Sequence, residues 1–227
     1  MLILYYDTET NGLPKERNAL TRDVEKWPRI IQIAWQLWEY GESDERKCIS
    51  SASYIITPSY DIVWNAESEA IHTISKARAM KEGVSQNSVL ELFKYAASMA
   101  HVLVAHNLAF DKSVLRAEYY RMNSAEEFTW WPPAEYCSME YTKSLCKLPS
   151  KFPKPHDPYK NPRLAELYKF LYGKEADVEF HNAAGDVECL VQAFHALVER
   201  RWVPIETWLR NFRVRPRAPM VSGAAKA

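Results

Sequence analysis

The chain has 227 residues, 47% of them hydrophobic and 26% charged, enough apolar material for the core of one α/β domain with an extension. Lys+Arg and Asp+Glu both number 29, so the formal net charge is zero. That balance excludes a polyanionic partner held by bulk charge: any positive potential must be local, and bound metal ions are one way to supply it.

The first element, LILYYD at residues 2–7, is an apolar run with the look of a buried strand. It is far too short to span a membrane and lacks the basic flank of a signal peptide, and no later apolar run approaches the ~18 residues of a transmembrane helix. Strand patterns follow from Ile30 to Trp38 and from Cys48 to Thr57. The short polar link GESDERK between them predicts an antiparallel hairpin. Ser75 and Ser85 each stand where a helix cap is expected, the second helix running to about Ala100. VLVA at 102–105 is a fourth strand, Asp111 to Arg121 has helical spacing, and a short stretch near Cys137 is a fifth strand.

KLPSKFPKPHDPYKNPR, residues 147–163, is rich in Pro and Lys and predicts a loop. Two helices follow, at roughly 163–172 and 183–200. Beyond Trp208 the sequence LRNFRVRPRAPMVSGAAKA has no apolar periodicity, so the expected organisation is a domain over 1–208 and a disordered Arg/Pro-containing tail over 209–227. Strands that first meander and then alternate with helices predict a mixed sheet flanked by helices. Cys48, Cys137, Cys146 and Cys189 form no CxxC pair. They read as reduced thiols, which points to a cytoplasmic location.

Three segments carry chemistry. In DTETNGL, Asp7 and Glu9 lie two apart on a strand and so point the same way. Carboxylates sharing a face repel and resist burial, and a divalent metal between them removes that penalty; hard oxygen ligands suit Mg²⁺ or Mn²⁺. In HNLAFD, a strand ends near Ala105 and Asp111 falls on the first turn of a helix. In HNAAGDVE, His181 sits on a flexible approach while Asp186 is fixed in the first turns of the last long helix. Singly, each has a bland explanation: a solvated strand end, a helix-start acid favoured by the dipole, a loop histidine.

Together, in this order and spacing, the segments resemble the DEDDh (DnaQ-like) exonucleases, the family of the proofreading subunit of bacterial DNA polymerase III. The resemblance spans roughly residues 2–200. Asp7 and Glu9 match the first motif, Asp111 the second, and His181 with Asp186 the third. RIIQIAW at 29–35 is similar to the family's second strand, and AESEAIHTIS at 66–75 to another family segment, with Thr73 where Gly is usual.

The resemblance implies a ribonuclease H-like fold, a five-stranded mixed sheet with helices on both faces. It further implies two Mg²⁺ (or Mn²⁺) ions, with Asp7 bridging both, Glu9 and Asp186 completing the site of the attacking water, and Asp111 supporting the second ion through water. His181 is then the general base, and the product a nucleoside 5′-monophosphate. Thr10, Leu13, Asn107 and Phe110 match positions that approach the terminal nucleotide, with turn formation and core packing as the competing roles. The expected substrate is a single-stranded or frayed 3′ end, DNA ahead of RNA, with a polymerase or other replication or repair protein as a candidate partner.

Lys147, Lys151, Lys154, Lys160 and Arg163 interleave with Phe152, His156 and Tyr159, a pattern that suits single strands. A solvated loop is the competing and favoured reading there. The competing functions for the chain are an RNA-trimming relative and a silent binding module. Five costly polar groups kept together argue against the last.

Overall fold

Nine residues, Leu2–Thr10, form the central strand β1, and their alternation divides the core. Ile3 and Tyr5 pack on one face of the sheet and Leu4 and Tyr6 on the other, all fully buried. A strand covered on both sides reads as an unbroken apolar run, which is why LILYY shows no polar alternation. The computed structural model describes residues 1–16, 18–41, 45–59, 62–122, 130–132 and 134–208.

β1 pairs antiparallel with β2 (Ile30–Tyr40), which pairs antiparallel with β3 (Arg46–Ile55), as the sequence predicts. On its other edge β1 runs parallel to β4 (Val102–Ala105), and β4 parallel to β5 (Ala134–Cys137). The order β3-β2-β1-β4-β5 is the expected five-stranded mixed sheet.

Helices α1 (Ala66–His72), α2 (Lys76–Glu82) and α3 (Gln86–Met99) lie between β3 and β4. Helix α4 (Leu108–Arg121) follows β4, and α5 (Ser138–Cys146) follows β5. After the paired strands β6 (Pro149–Lys154) and β7 (Asp157–Tyr159) come α6 (Leu164–Tyr172) and α7 (Ala183–Glu199). α3 and α4 cover the Leu4/Tyr6 face, α6 and α7 the Ile3/Tyr5 face.

Several expectations are corrected. β1 continues to Thr10 because Thr8 and Glu9 pair with Ile33 and Gln32. Residues 147–163 are not a simple loop: β6 and β7 form a two-stranded ribbon closed by Lys160 N–H to Leu148 O at 2.9 Å. α1 and α5 were not foreseen. Ser75 caps α2 through its side chain, accepting from Arg78 N–H, whereas Ser85 precedes α3 without a side-chain cap bond. The expected tail at 209–227 lies outside the described residues.

Thr73 ends α1 with φ 59° and ψ 12°, the left-handed conformation. A β-branched residue is an outlier there, and left-handed backbone costs an L-residue about 1–2 kcal/mol. Glu118 on α4 is fully buried; it pairs with Arg29 and Arg121, each at 3.0 Å, and accepts from Ile30 N–H and Gln86. That hub ties the start of β2 to α3 and α4.

Candidate active site

Asp7 and Glu9 follow Ile3 and Tyr5 on the α7 face of β1, and α7 presents Asp186 from its first turn. One carboxylate oxygen from each lies within 4.8 Å of the other two, and all three residues are half-buried. Two acids from one strand and one from a helix thus converge from distant parts of the chain.

Asp111 arrives from the opposite face of the sheet. The last parallel pair between β1 and β4 is Tyr5 with Val104, so β1 runs on past the end of its neighbour. There the Thr8 amide donates to Asp111 Oδ1 at 3.1 Å, and the Thr8 hydroxyl donates to the same oxygen at 2.7 Å. Asp111 is only 3% exposed and stands outside the triplet of ligand atoms, but its charge is felt by Asp7.

The electrostatics are those of a site that wants a cation. Asp7 is held well above the usual carboxylate range, first by burial and then by the charges of Asp111, Asp186 and Glu9. Glu9 is pushed to about 8 by burial, then by Asp186 and Asp111. Burial raises Asp111 to about 7 against the pull of the Thr8 hydrogen bonds. Burial also raises Asp186 to about 6, opposed by the His181 N–H and the His181 ring. Four acids so placed cannot all ionise without a counter-charge. An all-oxygen donor set of this spacing fits a hard divalent cation.

His181 is exposed on the approach to α7, with φ 61°. Its amide donates to Asp186 Oδ2 at 2.9 Å, so the backbone of the candidate base is fastened to a candidate ligand. The segment packs closely against the helix: a Cβ on Gly185 would lie 2.2 Å from Glu179 O. Gln32, 5% exposed, locks the helix start to β2, accepting from Ala183 N–H at 3.1 Å and donating to Asn182 Oδ1 at 3.3 Å.

The profile of the Exonuclease (RNase_T) family matches residues 4–194, which contain every one of these groups. The chain belongs to this exonuclease family. At the level of the family, it is a 3′→5′ exonuclease of the DEDDh type. No curated protein matches the chain.

Solved structures of similar fold include E. coli exonuclease I with single-stranded DNA in a zinc-bound form (TM-score 0.66, 17% identity, 92% of this chain and 43% of that one). The same enzyme with a dT13 oligonucleotide gives TM-score 0.66, 17% identity, and 92% and 43% coverage. A moderately thermophilic exonuclease I from Methylocaldum szegediense gives 0.62, 17%, 88% and 40%. At that identity the likeness is one of fold, and the chain spans about two-fifths of the length of those proteins.

The four positions expected to approach the nucleotide in this exonuclease domain differ in environment. Leu13 is 80% exposed in the turn after β1. Thr10 is buried and its hydroxyl donates to Gly12 O at 2.7 Å, which is the turn-forming role. Asn107 precedes α4 with φ 72° and makes no side-chain cap bond. Phe110 is half-buried and packs against the α3/α4 side of the core. Just past β1 a cleft of ≈ 670 Å³ opens, lined by Leu13, Lys15, Trp27, Arg29 and Val63 among others.

Sequence reasoning missed Thr8, Gln32 and Gly185. The available signals were a polar residue inside the apolar run RIIQIAW and a glycine in the first turn of a helix. His106 was seen only as part of its motif. Its Nε2 faces Pro162 O at 3.0 Å and its Nδ1 faces Ser138 Oγ at 2.8 Å. A carbonyl only accepts, so Nε2 carries the proton and Nδ1 accepts from the serine. Burial pushes this imidazole down to about 4, which keeps it neutral.

Proposed function

We propose that the chain hydrolyses phosphodiester bonds one nucleotide at a time from the 3′ end of single-stranded or frayed DNA, releasing nucleoside 5′-monophosphates. The observation that carries this reading is the convergence of Asp7, Glu9 and Asp186 within 4.8 Å, with the amide of His181 bonded to Asp186. Two Mg²⁺ or Mn²⁺ ions held by Asp7, Glu9, Asp111 and Asp186 would supply Lewis acidity to the scissile phosphate and acidify the attacking water.

The residues of the chain do the rest. His181, exposed beside the triplet, takes the proton of the attacking water on its imidazole as oxygen adds to phosphorus. The bond to the 3′ oxygen of the penultimate nucleotide then breaks, and that oxygen takes a proton from solvent to become a 3′ hydroxyl. Asp7, Glu9 and Asp186 would hold the ion that acidifies the attacking water, and Asp7 with Asp111 would hold the other. Leu13 wedges against the last bases, Thr10 holds the turn that presents it, and Asn107 and Phe110 border the terminal sugar.

A paired terminus must first unstack at a cost of a few kcal/mol, so single-stranded and mismatched ends react faster. The solved neighbours bound to single-stranded DNA support DNA as the substrate. The four free cysteines agree with a reducing, cytoplasmic setting, and no described helix is long and apolar enough to cross a membrane.

The test is a time course on an oligonucleotide labelled at its 5′ end, with Mg²⁺ and with excess chelator. A ladder shortening one nucleotide at a time, silent in chelator, is the expected result. Early labelled mononucleotide would mean attack from the 5′ end, cleavage of closed circles an endonuclease, and full activity in chelator a metal-free reaction.

A further inference from the structure

The β6–β7 ribbon has no part in the core. Residues 151–158 are all exposed, and Phe152 is 87% exposed. An isolated two-stranded ribbon is marginal by itself, and a phenylalanine held in water has no folding benefit to explain it. Four prolines, Pro149, Pro153, Pro155 and Pro158, stiffen the ribbon, so little conformational entropy remains to be lost when it binds something.

Its charge is local and one-signed. Asp157 is taken by Lys143 at 2.6 Å, and Lys160 by Glu166 at 2.5 Å. Lys147, Lys151 and Lys154 have no ion-pair partner among the described residues. In a chain with zero net charge and an acidic active site, three uncompensated lysines around an exposed ring form a distinct feature.

The ribbon also starts beside the active site. His106, one residue before Asn107 and the start of α4, holds Pro162 O at 3.0 Å, and Pro162 is two residues beyond the ribbon's closing bond between Leu148 and Lys160. From that base, the six residues of β6 reach ~20 Å as an extended strand. The ribbon is thus rooted at the start of the helix that carries Asp111, and its length exceeds that of a single nucleotide.

Resting on the proposed action at a 3′ end, we propose that β6–β7 is a single-strand-binding arm: Lys147, Lys151 and Lys154 follow the backbone phosphates, and Phe152 stacks on a base. Charges with an interleaved ring suit unpaired strands of any sequence, because every base offers a π-face. The arm would hold the strand while its end is shortened, favouring long substrates over short ones.

The experiment measures binding of 5′-fluorescein-labelled dT20 and dT3 by anisotropy, in chelator so that nothing is cut. It compares the full chain with the Lys147→Ala/Lys151→Ala/Lys154→Ala triple variant and with Phe152→Ala. For the triple variant, the advantage of dT20 over dT3 should shrink at least about tenfold near 0.1 M salt. Its log–log salt slope for dT20 should fall by about 2, since each phosphate neutralised on a single strand contributes roughly 0.7. Phe152→Ala should cost about fivefold or more for dT20 with the slope preserved. Affinities within about twofold of wild type, with unchanged slopes, would overturn the arm. Hydrolysis of the p-nitrophenyl ester of thymidine 5′-monophosphate by the wild-type chain reports the catalytic reading separately. Its failure would sink that reading while the anisotropy still decides the arm.

Discussion

Asp7→Asn should make the metal-free protein more stable while destroying its activity. Asp7 faces Glu9 and Asp186 across no more than 4.8 Å. At an effective dielectric near 20, each ionised pair at that distance costs about 3.5 kcal/mol. The groups escape part of the cost by staying protonated, and all three are only half-buried, so about 2–3 kcal/mol should be recovered by neutralising Asp7. For a chain of this size that is a rise in Tm of about 4–12 °C.

The pH dependence fixes the cause. Folding raises Asp186 to about 6, Asp111 to about 7 and Glu9 to about 8, from ordinary values of 3.8, 3.8 and 4.5. An acid whose folded pKa is raised contributes stability that is intact below its unfolded value and is lost as pH rises through the folded one. Wild-type protein in chelator should therefore lose stability from about pH 4 to about pH 8. The advantage of Asp7→Asn should be small at pH 5 and full at pH 8. The assay is a set of thermal melts in excess chelator across that range, repeated with Mg²⁺. Wild type should recover with Mg²⁺, because the ion binds the ionised acids, and Asp7→Asn should not. No gain at pH 8, or the same gain at pH 5, would refute the account of the site as a nest of repelling carboxylates.

His181→Ala should lower the hydrolysis rate by a factor of roughly 10²–10⁴, with the Mg²⁺-induced rise in Tm retained; loss of that rise would make His181 a ligand. Gly185→Ala drives a Cβ against Glu179 O, so it should cost about 1–3 kcal/mol in melts and more than tenfold in rate, by displacing the segment that carries His181. Thr73→Gly removes the left-handed threonine, and after the extra backbone entropy of glycine it should stabilise by about 0.5–1 kcal/mol. A destabilised Thr73→Gly protein in the same melts would mean the side chain holds something of greater value than the strain.

The parts of the molecule legible in the sequence were those with one dominant local cause. β1 announced itself through burial on both faces, and the phase of Asp7 and Glu9 followed from strand geometry alone. Asp186 stood out because an acid at a helix start, five residues past a histidine, matched a family pattern. The ribbon at 149–159 was hidden because its prolines read as breakers. In fact only Pro149 with Tyr159 and Lys154 with Asp157 are paired, and a strand can carry proline where no ladder donor is needed. α1 was hidden because its seven residues are too few for a clear period; Asn65, accepting from Glu67 and Ser68, is what starts it. Gln32 and Thr8 were illegible for a different reason: their partners, Ala183 and Asp111, are 151 and 103 residues away, and only the fold brings them together.

The Thr8 amide rests on the Asp111 carboxylate where β1 has outrun β4, so a single N–H bridges sheet and catalytic centre. In isotope-exchange terms it is an edge proton whose protection is set by a carboxylate and not by a strand carbonyl. Ionising Asp111 strengthens the acceptor, and filling the site with a cation favours that ionised form. The resonance and exchange rate of one backbone proton thus register the loading of the active centre, with no label attached and no substrate turned over.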